Sequence, residues 1–300
     1  MVSKNELARC WLCGVGAKLT SEHLPPRSVF NDRPVAIQRL SHEALALGYV
    51  DWERAIEQRD GHSLESLCES CNKLGGRVFV NSYRDFVCQI AEQVSTRIPI
   101  RTLSVTNVRN PQLILRQIVM QFVSANGPNF VDANSWVKDL LFSRQAMALP
   151  SDVRLYIFAT QTRAMRTSGV SGHVRADKRD YRVVSEFTFW PLGSVLSYSD
   201  LSDEPLLEIS DWSRRPFRSK GSLDMTLPVN PADSDYPVNF RDNLDIYLDT
   251  LKKASALPEE ELVLRMQAEV KRRSGNSLRQ SILTAAPSTV ELAVQRGSAG

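Results

Sequence analysis

The chain has 300 residues, 42% of them hydrophobic and 24% charged, which is enough apolar matter for one large domain or two modest ones and excludes disorder throughout. Its 37 basic and 34 acidic residues leave a formal charge of +3, too slight to mark a nucleic-acid binder, so any such argument rests on local clusters. No apolar run reaches the roughly eighteen residues of a membrane helix, and the start "MVSKNELARC" lacks the apolar core of a signal peptide. The expectation is a soluble, cytoplasmic protein with reduced thiols and no membrane partner.

The first informative stretch is "CWLCGVGAKLTSEHLPPRSVF", in which Cys10 and Cys13 precede Glu22, His23 and the prolines Pro25 and Pro26. A second stretch, "LCESCNKLGG", supplies Cys68, Cys71 and Asn72. Two Cys-x-x-Cys pairs under reducing conditions read as metal ligands, because a two-residue spacer turns both sulfurs toward one ion and four thiolates satisfy tetrahedral zinc. A redox site would need a single pair, at a helix start after a strand, and neither pair has that sequence setting. The long gap implies a functional segment threaded between the knuckles. Cys88 falls in a helical apolar pattern and is expected to be a core thiol. His42 and His173 have no partner motif and are expected to be surface or satisfied residues.

The order Cys-x-x-Cys, Glu-His followed by Pro, then Cys-x-x-Cys-Asn resembles the HNH endonucleases with a zinc-stapled treble-clef, or ββα-metal, core. The resemblance covers roughly residues 8 to 96. It implies that Cys10, Cys13, Cys68 and Cys71 hold a structural Zn²⁺. It further implies that Glu22 and Asn72 ligate a catalytic Mg²⁺ or Mn²⁺, that His23 is the general base, and that DNA rather than RNA is cut. Elementary chemistry agrees: a base near neutrality activates water, and a hard cation with oxygen ligands neutralises phosphate charge. Adjacent residues on a strand point to opposite faces, so Glu22 and His23 need a bulge or bend to reach one phosphate, and the two prolines make an irregular backbone plausible. The sequence departs from the family at Ser63, where many members carry an Asn that helps to orient the His; Ser63 is expected to be able to hydrogen-bond it. His62, beside it, reads as part of a polar turn. Arg27 and Lys73 are the nearby candidates for phosphate contacts.

Further along, Phe79, Tyr83, Phe86, Ile90 and Val94 repeat at helical spacing and predict a helix packed on the core. "STRIPIRTLSVTNVRN" breaks that pattern and places a boundary near residue 98. "NPQLILRQIVMQFVSA" and "ANSWVKDLLFSRQAMA" read as amphipathic helices with Asn caps, separated by the turn "NGPN". The period then changes to two in "DVRLYIFAT", "RVVSEFTFW" and "GSVLSYS", predicting an antiparallel sheet covered by those helices. Basic residues gather around it: Arg163, Arg166, Arg175, Lys178, Arg179 and Arg182, then Arg214, Arg215, Arg218 and Lys220. Singly each reads as a solvated loop residue; together Arg175, Lys178 and Arg179 are candidates for a phosphate-tracking surface. "FRDNLDIYLDTLKKA" and "PEEELVLRMQAEVKRRSG" read as helices, and the last twenty residues as a frayed tail.

The resulting expectation is an α+β protein. Residues 1–98 form a zinc-stapled treble-clef (ββα-metal) nuclease domain, residues 99–280 a helical and antiparallel-sheet domain that selects substrate or partner, and residues 281–300 a tail. The function expected is metal-dependent hydrolysis of nucleic-acid phosphodiesters, in the manner of a restriction or phage-defence effector, with a homodimer or protein partner bound through the second domain. The alternative is a non-catalytic zinc module that binds nucleic acid or protein.

Overall fold

The computed structural model describes residues 7–41, 56–95, 100–161, 164–175, 180–219, 221–230 and 289–295. Strands β1 (Ala8–Arg9) and β2 (Gly16–Ala17) pair around the first thiol pair. Strand β3 (Leu19–His23) continues from them and pairs antiparallel with β6 (Ser63–Cys68). Between these two lie β4 (Val35–Ser41) and β5 (Ile56–Gln58). Cys68 ends β6 and is also the N-cap of helix α1 (Glu69–Leu74), so strand, thiol and helix are joined without a loop. A π-helical turn, Gly75–Phe79, leads into α2 (Val80–Val94). Phe79, Tyr83, Phe86, Ile90 and Val94 are all buried, as the helical spacing of these apolar residues requires.

The stretch after α2, read from sequence as a break, is strand β7 (Thr102–Arg109). It is followed by α3 (Pro111–Asn126), α4 (Phe130–Ala133) and α5 (Trp136–Phe142). The second half is built from β8 (Arg154–Thr160), β9 (Ala164–Arg175), β10 (Asp180–Phe189) and β11 (Leu192–Ser197), with β12 (Leu207–Glu208), β13 (Ser222–Asn230) and β14 (Thr289–Gln295). A ten-stranded sheet results, in the order β5-β4-β14-β9-β10-β11-β8-β13-β7, with β12 beside β8. Its pairings are antiparallel except β13 with β8. The molecule is thus mixed α+β, and strands from the N-terminal segment belong to the large sheet. At one crossing the sheet requires glycine, because a Cβ on Gly193 would stand 2.1 Å from the Phe158 ring.

Several expectations are corrected. Helix α3 is not amphipathic but central: from Pro111 to Ser124 every residue is buried, since it packs on β9 and β10, on α2 and beside β6. Its first residues are not capped by the Asn110 side chain. Arg166 and Arg182 are not loop cations. Arg166 lies in β9 and forms an ion pair with Glu186 at 2.7 Å, while Arg182, 3% exposed in β10, pairs with Asp203 and Glu204. Charges this far out of water persist only when paired. Cys88 is half-buried rather than a core thiol. Within the supposed frayed tail, Thr289–Gln295 form β14, held between β4 and β9. The two C-terminal helices predicted from sequence, His42, Arg163, Lys178, Arg179 and Lys220 lie outside the described residues, as do the side chains of Arg175 and His173. Among the described residues, no helix is long and apolar enough to cross a membrane.

Candidate metal centre and the strand beside it

The knuckle at Cys10–Cys13 is shaped by its backbone: Gly14 N–H donates to the Cys10 carbonyl and Cys10 N–H to Val15, with Gly14 at φ +80°. A left-handed residue there suits glycine. The second pair sits where β6 becomes α1, at a helix start after a strand, a setting not expected of either pair from the sequence; the metal reading therefore rests on the convergence of all four thiols and not on that setting. Trp11 N–H donates to the Ser66 carbonyl at 3.0 Å, and Cys68 N–H to Cys10 Sγ at 3.3 Å, which binds the two pairs together.

The four Sγ atoms of Cys10, Cys13, Cys68 and Cys71 all lie within 4.8 Å of one another. Tetrahedral zinc with Zn–S bonds of about 2.3 Å places its sulfurs about 3.8 Å apart, and Cys13 and Cys68 are 3.8 Å apart. The donor set therefore fits a metal ion such as zinc. Electrostatics point the same way. Burial pushes the Cys71 thiol well up, and the neighbouring Cys10 sulfur adds to that; burial likewise raises Cys13. Burial also acts on Cys68, but hydrogen bonds from the Ser70 hydroxyl, the Cys71 N–H and the Cys71 and Cys10 thiols together outweigh it and bring that thiol down to about 6. Four thiolates crowded together repel one another, and a divalent cation removes that repulsion by displacing their protons.

Strand β3 carries the Glu-His pair, and the two side chains take opposite directions. Opposite β3, the register jumps from Thr20↔Leu67 to Ser21↔Glu65, leaving Ser66 of β6 as an unpaired bulge residue. The bulge aims the Ser66 hydroxyl at Glu22. The buried Glu22 carboxyl receives Ser66 Oγ at 3.1 Å and Ser124 Oγ of α3 at 2.6 Å. Burial raises its pKa to about 7 against the opposing pull of the two hydroxyls.

His23 is partly exposed, and its Nε2 lies 2.9 Å from the Asp60 carbonyl oxygen. A carbonyl only accepts, so Nε2 donates to it, and in the neutral ring the lone pair is then on Nδ1. It is Asp60 that orients the ring; Ser63, the residue expected to substitute for the family's Asn, pairs with His23 across the strands and gives its N–H to Gln58. The Asp60 turn is itself clamped. The fully buried Asn31 donates to the carbonyls of Pro25 and His62 and accepts from His62 N–H at 2.7 Å. Gly61, at φ +88°, leaves no room for a Cβ, which would stand 2.2 Å from the Asn31 carbonyl oxygen. His62 is buried, not a solvated turn residue. Arg27 stands over the same turn, 3.9 Å from Asp60, with both side chains largely exposed.

Asn72 turns elsewhere. Its Nδ2 donates to Thr20 Oγ1 at 3.0 Å and to the Ser21 carbonyl at 3.3 Å. It lines an open cleft of 340 Å³ with Thr20, Glu69, Lys73, Gly76 and Arg77. Lys73 is paired there with Glu69. The structure thus brings the four cysteines together, and it sets Arg27 over the turn that holds His23. Glu22 and Asn72 are not joined: one carboxyl faces the interior and one amide faces the cleft. Among the described residues, the group of His, Cys, Asp and Glu side chains close enough to hold an ion is that of the four cysteines.

Sequence reasoning missed Asn31, Asp60, Ser66 and Ser124. Nothing local marks them, since each acts on a residue far along the chain; only the Gly61 in "RDGHS" hinted at a constrained turn. No protein-family model, curated protein or solved structure matches this chain significantly.

Proposed function

We propose that the chain is a zinc-stapled nuclease of the HNH type, hydrolysing phosphodiester bonds in nucleic acid, with DNA as the target the resemblance favours. The observation that carries this reading is the 2.9 Å contact between His23 Nε2 and the Asp60 carbonyl, which in the neutral ring keeps the proton on Nε2 and leaves Nδ1 to take one from water. In the proposed reaction, water attacks phosphorus, its proton passes to His23 Nδ1, the P–O bond to the leaving oxygen breaks, and that oxygen is protonated from solvent. Lys73 and Arg77, in the cleft beside β3, supply positive charge for the phosphate, with Arg27 near the Asp60 turn. In this reading the treble-clef arrangement is the β3–β6 pair with α1, and zinc fixes it. The requirement for Mg²⁺ or Mn²⁺ comes from the resemblance, which gives Glu22 and Asn72 as its ligands. A role in restriction or phage defence belongs to the same reading.

The inward turn of Glu22 favours a second reading, a non-catalytic zinc module that binds nucleic acid or a protein. Plasmid cleavage in the presence of Mg²⁺ or Mn²⁺ separates the two. Under the nuclease reading, His23→Ala lowers the rate by about a hundredfold or more, with zinc content and DNA binding kept. A parent protein that cuts no DNA or RNA, or a His23→Ala variant that cuts as fast as the parent, leaves the second reading in place.

A further inference from the structure

Glu22 is 6% exposed, and the donors to its Oε2 come from two different elements: Ser66 of the β6 bulge and Ser124 of the central helix α3. The two hydroxyls also lie 2.8 Å from each other. Three oxygens in mutual contact need three protons to make three hydrogen bonds, and two serines bring two. An ionised carboxylate accepts from both serines and leaves the Ser66–Ser124 contact without a proton; in a neutral carboxyl Oε2–H donates to one serine, that serine donates to the other, and the other donates back to Oε2, which closes the ring. Hard divalent cations take ionised carboxylates, so a carboxyl satisfied in this way is a poor ligand. The bulge residue, Ser66, is on β6, opposite the step from Thr20 to Ser21, and β3 itself has no extra residue. From Glu22 to His23 the strand therefore keeps its alternation, one side chain inward and one outward.

The same point gathers three parts of the molecule. Ser66 accepts the Trp11 N–H from between the first two thiols, gives its hydroxyl to Glu22, and meets Ser124 from α3. We infer that Glu22 is a buried tether that fixes the His23-bearing strand between the metal-held strand β6 and helix α3, and is not a ligand of a catalytic cation. It is a positioning residue acting through His23, and the inference rests on His23 being the base of the proposed reaction.

The test compares Glu22→Leu, which fills the space without hydrogen bonds, with Glu22→Gln, which carries an acceptor and a donor like a neutral carboxyl. The zinc-loaded full chain is read in two ways: the ring ¹⁵N shifts of His23, which report its tautomer, and cleavage kinetics with Mg²⁺ or Mn²⁺. Glu22→Leu is expected to lose the single Nε2–H tautomer and to lower kcat at least tenfold with KM little changed, a loss that Mn²⁺ does not repair. Glu22→Gln is expected to recover both the tautomer and the rate. Loss of cleavage in Glu22→Gln with return at high Mn²⁺ marks Glu22 as a ligand and overturns the tether. An unchanged His23 signal in Glu22→Leu overturns it as well. If the parent cuts nothing, the nuclease reading fails by itself, and the tether stands or falls on the His23 ring signal alone.

Discussion

His23 and Glu22 are neighbours in sequence, yet the first is partly exposed and the second is buried against two hydroxyls in the interior. The consequence for Glu22 is a pH-dependent stability. Its pKa is raised from 4.5 to about 7, first by burial, with no charged side chain contributing to the shift. Because the folded value is the higher one, the contribution to stability is full below pH 4.5 and is lost as pH rises through about 7. Above that, the ionised carboxyl opposes folding by on the order of 3 kcal/mol. Glu22→Gln removes the titration while keeping the hydrogen bonds. Its unfolding free energy in urea, relative to the parent, should be close to equal at pH 4.5 and higher by that order at pH 8. A difference that stays flat with pH would mean that Glu22 is ionised throughout.

At the scale of elements, the knuckles and the bulge act as one device. Cys68 closes β6 and caps α1, Trp11 is stitched to the Ser66 carbonyl, and Cys10 Sγ accepts from Cys68 N–H. Removing one thiolate therefore unfastens two strands and a helix together. Metal analysis of the reduced protein should find about one zinc per chain, and Cys71→Ser should lose most of it. Hydrogen exchange in β3, β6 and α1 should then rise while the β8–β11 strands stay protected. A folded, reduced protein without zinc would remove the structural role given to the cluster. The clamp of Asn31 and Gly61 on the Asp60 turn is a second device of this kind, built from side-chain bonds instead of a metal.

Across the whole molecule, the ten-stranded sheet joins residues from both ends of the chain. Strand β14 fills the gap between β4 and β9, pairing with both. Without it, each neighbour has an unpaired edge of backbone donors and acceptors, which favours association with other chains. Ending the chain before Thr289 is expected to lower the melting temperature and to produce aggregates on size exclusion. A monodisperse truncated protein with the parent's melting temperature would show that β14 adds nothing to the sheet. Helix α3 is the other integrating element: it lies against β9 and β10 and carries Ser124 to Glu22, linking the sheet to the candidate site.

The sequence alone determined what is local. Two Cys-x-x-Cys pairs announce a four-thiol site because the spacing itself turns the sulfurs together, and the helical spacing of apolar residues announces α2 because burial of one face imposes it; β8, β11 and α3 are buried almost throughout, so burial imposes no period on them. The tertiary structure decided what depends on contacts between distant residues. It chose which way Glu22 faces, since Ser66 and Ser124 are 44 and 102 residues away. It set the tautomer of His23 through a carbonyl 37 residues on, and it made a strand of Thr289–Gln295, whose weak pattern is stabilised by two flanking strands. Hydrogen-bond donors and strand edges carry no mark in the sequence of where their partners will be; only the folded chain brings them within reach.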